Sequence, residues 1–289
     1  MGSEAPRRVT DWARVAERAG LGSLWFVEDY FYPGAFALAA ASAAVTERPA
    51  IGLGVVNPYT RHPALITMET AALSGLAPGR VILGLGSSNR PWIEEQIGLP
   101  FRTPLQTLRE CVEIIRRLWR GERLTYEGRC FTLREVALEF KPGQEQLPIF
   151  LGVKAPKALA LAGEISDGVI CSVLASPAHV KRVRSTSEAA RQSAGCAGQF
   201  IVVGYLLTAV SHDGKQAREA VKPLLARYLG ILHGQSILKD AGLSEARTLP
   251  FRQALLAGKP GAHLVTEELV ETFAVAGTPK ECRLALGRL

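Results

Sequence analysis

Apolar positions along this chain fall into two alternating periods. Short continuous runs at 24–27, 51–56, 81–85, 149–151, 168–171 and 200–209 have the length and β-branched content of strands buried on both faces of a parallel sheet. Helical spacing recurs between them. Thr10 is placed to cap a helix that runs through Ala19 and stops at Gly20, and an alanine-rich helix covers about 35–45. Pro63 opens a helix over about 64–74 that the Pro78-Gly79 step closes. Over about 104–119, Leu108, Val112, Ile115 and Leu118 share one face. The runs 124–126 and 130–133, joined across Glu127-Gly128-Arg129, read as a hairpin that interrupts the alternation.

Helices are then expected at about 157–163 and 177–194, with a third capped by Asp213 and running to about 229. The stretch 230–259 is less periodic and reads as short helices, followed by a helix over 265–273. Gly277-Thr278-Pro279 carries the N-cap and first-turn proline of a final helix. The whole is an α/β chain read as one domain over 1–289, with a hairpin insertion at about 120–135 and a helical one at about 230–272. Six parallel strands are evident; a closed eight-stranded barrel needs two more, and its first and last strands have no clear source here.

Composition narrows the class. Of 289 residues 47% are hydrophobic and only 21% charged, which fits a folded α/β enzyme and argues against disorder. The net charge of +7 is spread along helices, so a solvated surface is expected rather than a nucleic-acid footprint, with room for a basic mouth toward an anionic cofactor. Five cysteines without a CxxC pair or regular spacing read as reduced thiols, and no apolar run has the length of a membrane span. A cytoplasmic protein is expected.

The chemistry gathers just after the strands, where parallel α/β folds bind ligands. Asp29 and Tyr30 follow the first strand and offer a carboxylate and a phenol to orient a substrate or donate a proton; a surface carboxylate and a packed ring are the plainer alternative. Asn57, Tyr59, Arg61 and His62 follow the second, His62 reading as a cap or packing residue. Gly84, Gly86, Ser87 and Ser88 form a small-residue turn where backbone can approach a ligand, ahead of Asn89. Gly152, Lys154 and Lys157 flank a loop entering a helix at Pro156, a combination suited to phosphate. Trp92, Glu94 and Glu95 lie in a loop that either covers the substrate side or is plain surface. No metal-ligand spacing, phosphate-binding P-loop or nucleophile elbow appears, and His179, His212, His233 and His263 read as structural or exposed.

Four segments, LGSLWFVEDYF, GVVNPYTRHP with SGLAPGRVILGLGS, PKALALAGEISDGVI and LVETFAVAGTPKEC, resemble the luciferase-like flavin and deazaflavin oxidoreductases. Within that family the chain is most similar to methylenetetrahydromethanopterin reductase-like enzymes that use coenzyme F420. The resemblance implies a TIM (β/α)8-type barrel with insertions, and a flavin-type ring at the carboxyl ends of the strands. It places a bulge with a non-prolyl cis peptide at Gly54-Val55, behind the ring. It further implies that Asn57 meets the polar edge of the ring, that Gly86, Ser87 and Ser88 approach it, and that Gly152, Lys154 and Lys157 hold the cofactor's phosphate.

Relatives carry Asp-His where Asp29-Tyr30 stands, and an acid where Asn89 stands. Tyr30 is therefore expected to deliver the proton with Asp29 in support, while Asn89 binds without ionising. The expected activity is hydride transfer from reduced F420 to a C=N, iminium or C=C bond of a small-molecule substrate, by a homodimer. The alternatives are a monooxygenase using reduced FMN, and a non-catalytic or truncated homologue.

Overall fold

The structure, a computed structural model, describes residues 6–29 and 31–287. It divides into two compact units, the first made of residues up to 153 with 161–169 and 194–201, the second of 154–160, 170–193 and the rest of the chain from 202.

The first unit opens with α1 (Val9–Arg18), which leads into β1 (Ser23–Phe26). Thr10 does not cap it: the cap position falls on Arg8, whose side chain makes no capping bond, and Thr10 is the helix's second residue. Next come α2 (Ala35–Ala43), β2 (Ala50–Val56), α3 (Pro63–Leu76), β3 (Val81–Leu85) and α4 (Pro104–Trp119). Strands β4 (Leu124–Glu127) and β5 (Thr132–Val136) pair only with each other, antiparallel, as the inserted hairpin. The main sheet resumes with β6 (Ile149–Leu151), and α5 (Pro156–Ile165) leads to β7 (Gly168–Cys171).

Pairing is parallel from β1 through β2, β3 and β6 to the start of β7, with Leu24 opposite Ile51, Leu53 opposite Leu83 and Leu85 opposite Leu151. Leu53, Leu83, Leu85, Ile149 and Leu151 are fully buried, as strands covered on both faces require. The Trp25 and Phe150 rings stack with centroids 6.3 Å apart. On α4 the face foreseen from periodicity is buried, and Ile114 and Leu118 pack with Leu124 and Leu133 of the hairpin.

The second unit holds α6 (Pro177–Ser193), most of β8 (Ile201–Gly204), β9 (Leu207–Val210), α7 (Gly214–Ile231), α8 (Ser236–Asp240), α9 (Glu245–Leu256), α10 (Glu267–Phe273), β10 (Ala274–Gly277) and α11 (Pro279–Leu286). The long apolar run at 200–209 is two strands, broken at Tyr205-Leu206. Its second half pairs in parallel with β10, a strand the hydrophobic pattern did not place. Leu225, Leu229, Ile237, Phe251 and Phe273 form this unit's own apolar core. Two caps match expectation: Asp213 accepts from the Lys215 and Gln216 amides, and Thr278 forms a reciprocal capping box with Glu281. Among the described residues no helix is long and apolar enough to cross a membrane.

Candidate functional site

The carboxyl ends of β2, β3 and β6 meet closely in the first unit. The β2/β3 register slips between Leu53 and Val56, and the Gly54-Val55 peptide inside the slip is cis, at the position the family resemblance implied. The Gly86 amide donates to the Val56 carbonyl at 2.9 Å and the Gly152 amide to that of Leu85 at 2.8 Å, stitching the three ends together. The Val55 side chain lies against both glycines. A Cβ added at Gly86 would stand 2.6 Å from Val55 Cγ2, and one at Gly152 2.7 Å from Val55 Cγ1. No residue with a side chain fits either place without movement. Gly54, Val55, Gly86 and Gly152 are thus brought together as a tight, small-residue floor.

Just beyond it, Ser88 has a left-handed backbone (φ 59°) and a buried hydroxyl without a hydrogen-bond partner. Such an orphaned group is what a ligand-binding surface leaves open. Ser87 beside it is half-buried. Asn57 is buried, and its carboxamide oxygen accepts from the Tyr59 and Thr60 amides, both at 3.1 Å, so it shapes the loop after β2 from within. Asn89 is exposed; its side-chain oxygen accepts from the Trp92 amide at 3.1 Å, within the π-helical turn Pro91–Gln96 that follows. In the same turn Glu94 accepts from Arg90 and from the Phe101 amide, and these bonds hold its carboxyl below the usual range. Glu94 is therefore a loop-binding residue.

Asp29 is exposed three residues beyond β1, and its carbonyl accepts from the Tyr32 amide at 3.3 Å. Tyr30 lies outside the described residues. His62 caps α3 by accepting from the Ala64 amide at 3.2 Å, meets the Phe131 ring edge-on, and burial pushes its imidazole down. It caps and packs, as read from the sequence.

Two arrangements were not foreseen. Arg61 binds Glu28 and Glu69 at once and stands over the Phe36 ring. The hairpin tip also reaches the loop after β2. Cys130 Sγ lies 3.4 Å from the hydroxyls of Thr103 and Thr107, the Thr107 hydroxyl donates to the Tyr59 hydroxyl at 3.4 Å, and the Tyr59 ring leans on Phe101. An insertion offers no periodic signal of what its tip will touch.

In the second unit, Lys154 precedes α5 half-buried, and burial pushes its ammonium below the usual lysine range, while Lys157 is exposed on the first turn. Near Lys154 stands a cluster that no motif or periodicity announces. His179 is fully buried with Nδ1 2.6 Å from Asp240 Oδ2, an oxygen that also accepts from Arg182 at 2.7 Å. Burial lowers the His179 pKa more than Asp240 raises it; burial works against Asp240 ionising, yet the bonds from Arg182 and His179 hold its carboxyl low.

The family model of the luciferase-like monooxygenases matches residues 1–288. The 5,10-methylenetetrahydromethanopterin reductase of Archaeoglobus fulgidus is 31% identical over 277 residues, covering 93% of this chain and 82% of that protein. The F420-dependent glucose-6-phosphate dehydrogenase of Beutenbergia cavernae is 36% identical over 181 residues, covering 58% of this chain and 53% of that one. Among solved structures, the coenzyme F420 dependent tetrahydromethanopterin reductase of Methanopyrus kandleri superposes with a TM-score of 0.88 at 24% identity, covering 100% of this chain and 87% of that one. The parallel sheet is therefore that of a TIM-barrel-type fold, and the chain belongs to the luciferase-like monooxygenase family.

Proposed function

We propose that this protein is an F420-dependent oxidoreductase that transfers a hydride between the deazaflavin and a small-molecule substrate, at the carboxyl ends of β2, β3 and β6. The observation that carries this is the floor itself: two strand-end glycines pressed against Val55, beside a buried serine hydroxyl that has no partner. A surface stripped of side chains with one orphaned polar atom fits a flat, polar-edged ring. The oxidoreductase class and the deazaflavin are also those of the relatives it resembles over nearly its whole length.

When bound, the cofactor supplies the hydride chemistry, and the protein's share is positioning and electrostatics. Gly54, Val55, Gly86 and Gly152 back the ring; Asn57, Ser87 and Ser88 border it. Lys154 and Lys157, with the amides at the start of α5, hold the phosphate of its tail. Asp29 and Tyr30 orient the substrate and deliver its proton, and Asn89 binds without ionising. The acceptor is a C=N, iminium or C=C carbon. Charge supports that class: the Arg61 guanidinium beyond β2 is already bound by both Glu28 and Glu69, which suits a neutral or cationic substrate better than a phosphorylated one. The chain is read as one functional domain working as a cytoplasmic homodimer.

The test measures binding of F420 and FMN side by side, then oxidation of reduced F420 with methylenetetrahydromethanopterin and with simple cyclic imines and iminium ions. Micromolar F420 binding with turnover on an imine or iminium supports the reading. Preference for FMN, with oxygen uptake that depends on reduced FMN, replaces it by the monooxygenase reading that the family's breadth keeps in view. Binding of neither cofactor overturns both.

A further inference from the structure

The strand ends that form the floor are tied to their neighbours by one side chain. Arg61, in the loop between β2 and α3, donates through Nε to Glu28 Oε1 at 2.6 Å and through one terminal nitrogen to both Glu69 oxygens at 3.1 Å. Its guanidinium carbon stands 5.1 Å from the centroid of the Phe36 ring at the start of α2. Glu28 is the residue before Asp29, and its side chain is only 13% exposed. Its second oxygen is buried and has no partner. The planar guanidinium fork can serve two carboxylates and an aromatic face together; an ammonium cannot. Arg61 thus meets the segment after β1, α2 and α3 from the loop that also carries Asn57 and Tyr59.

We propose that Arg61 is a positioning residue of the site: acting through Glu28, it fixes the segment that carries Asp29 against the loop after β2. This rests on the F420 reading given above. Without Arg61, Glu28 would be a buried carboxylate with no cation. It would escape by swinging out toward water and carrying Asp29 with it.

The experiment measures F420 affinity by fluorescence quenching at pH 8 for the full chain and for Arg61→Met, Arg61→Lys, Glu28→Gln and the Arg61→Met/Glu28→Gln double variant. Arg61→Met is expected to weaken binding about tenfold through misplacement of the loop. The double variant, with no buried carboxylate left without its cation, should regain most of that loss. Arg61→Lys keeps the charge but cannot span both carboxylates, so it should lie between Arg61→Met and the unaltered chain, and it supplies the same reading if Arg61→Met does not fold. A purely structural role would lower the melting temperature of Arg61→Met and give no recovery of affinity when Glu28→Gln is added. Unaltered F420 affinity in Arg61→Met, or a loss that Glu28→Gln does not relieve, overturns the proposal. If the unaltered chain binds no F420, the proposed function itself fails, and that outcome is separate because it appears before any variant is made.

Discussion

Val55 leaves less than a methyl group of room at Gly152, since a Cβ there would stand 2.7 Å from its Cγ1. Gly152→Ala is therefore expected to cost about 1–3 kcal/mol of stability, as overpacking does, and to weaken F420 binding. Val55→Ala in the same chain should restore much of both. Thermal melts and cofactor titration check this, and an unshifted melting point in Gly152→Ala would mean that the floor yields easily. A second residue-scale expectation concerns His179, whose imidazole is pushed down from its ordinary 6.5, chiefly by burial. Its folded form binds a proton less readily than its unfolded form, so stability should fall as the pH drops below about 6.5. Asp240 is held below its ordinary 3.8, so the stability it contributes is present above that value and is lost only in stronger acid. Melts of His179→Gln should flatten the first fall and leave the second; an unchanged profile would remove His179 from the titration. Gly86 and Gly152 could be named in advance because small residues at strand ends are visible along a chain, and Gly54-Val55 because the family resemblance places a bulge there. The His179–Asp240 pair could not, because 61 positions separate its members and neither sits in a motif.

Among the elements, the inserted hairpin has the least ordinary anchor. Glu110 on α4 is 2% exposed, and its carboxylate accepts from Gln106 Nε2 and from the backbone amides of Arg129, Cys130 and Phe131. Burial works against its charge, but these donors outweigh it and hold the carboxyl low. Glu110→Ala should strand three amides and cost about 3 kcal/mol, read from urea unfolding. Hydrogen exchange at residues 129–131 should accelerate; exchange no faster than in the unaltered chain would show that the strand pairing alone holds the turn. Periodicity placed α4 and both hairpin strands, yet Glu110 reads as solvent-facing in any helical projection, because nothing local says that a turn will close over it. The gap at β10 has a different cause. Ala-Val-Ala-Gly buries little apolar surface, so the strand shows only through its partner β9. Phe200 to Ala209 failed the opposite way: its apolar run is unbroken, and the change of sheet at Tyr205-Leu206 is set by which strand is available to pair.

For the molecule as a whole, the net charge of +7 bears on how an anionic cofactor arrives. Association with F420, whose tail is more highly charged than that of FMN, should slow and weaken more steeply with salt. Stopped-flow binding in low and high salt checks this, and equal salt dependence for the two cofactors would mean that the charge is not focused on the site. Family membership was legible because its motifs spread over most of the length, whereas neither motif nor composition names a substrate. The hairpin has a consequence for how such enzymes diversify. Its strands pair only with each other, its turn is fastened to α4 by the Glu110 carboxylate, and its tip stands beside Tyr59 and His62. Mutations at Cys130 or Phe131 are therefore insulated from the barrel sheet, and a lineage can exchange this tip for another while inheriting the rest of the scaffold unchanged.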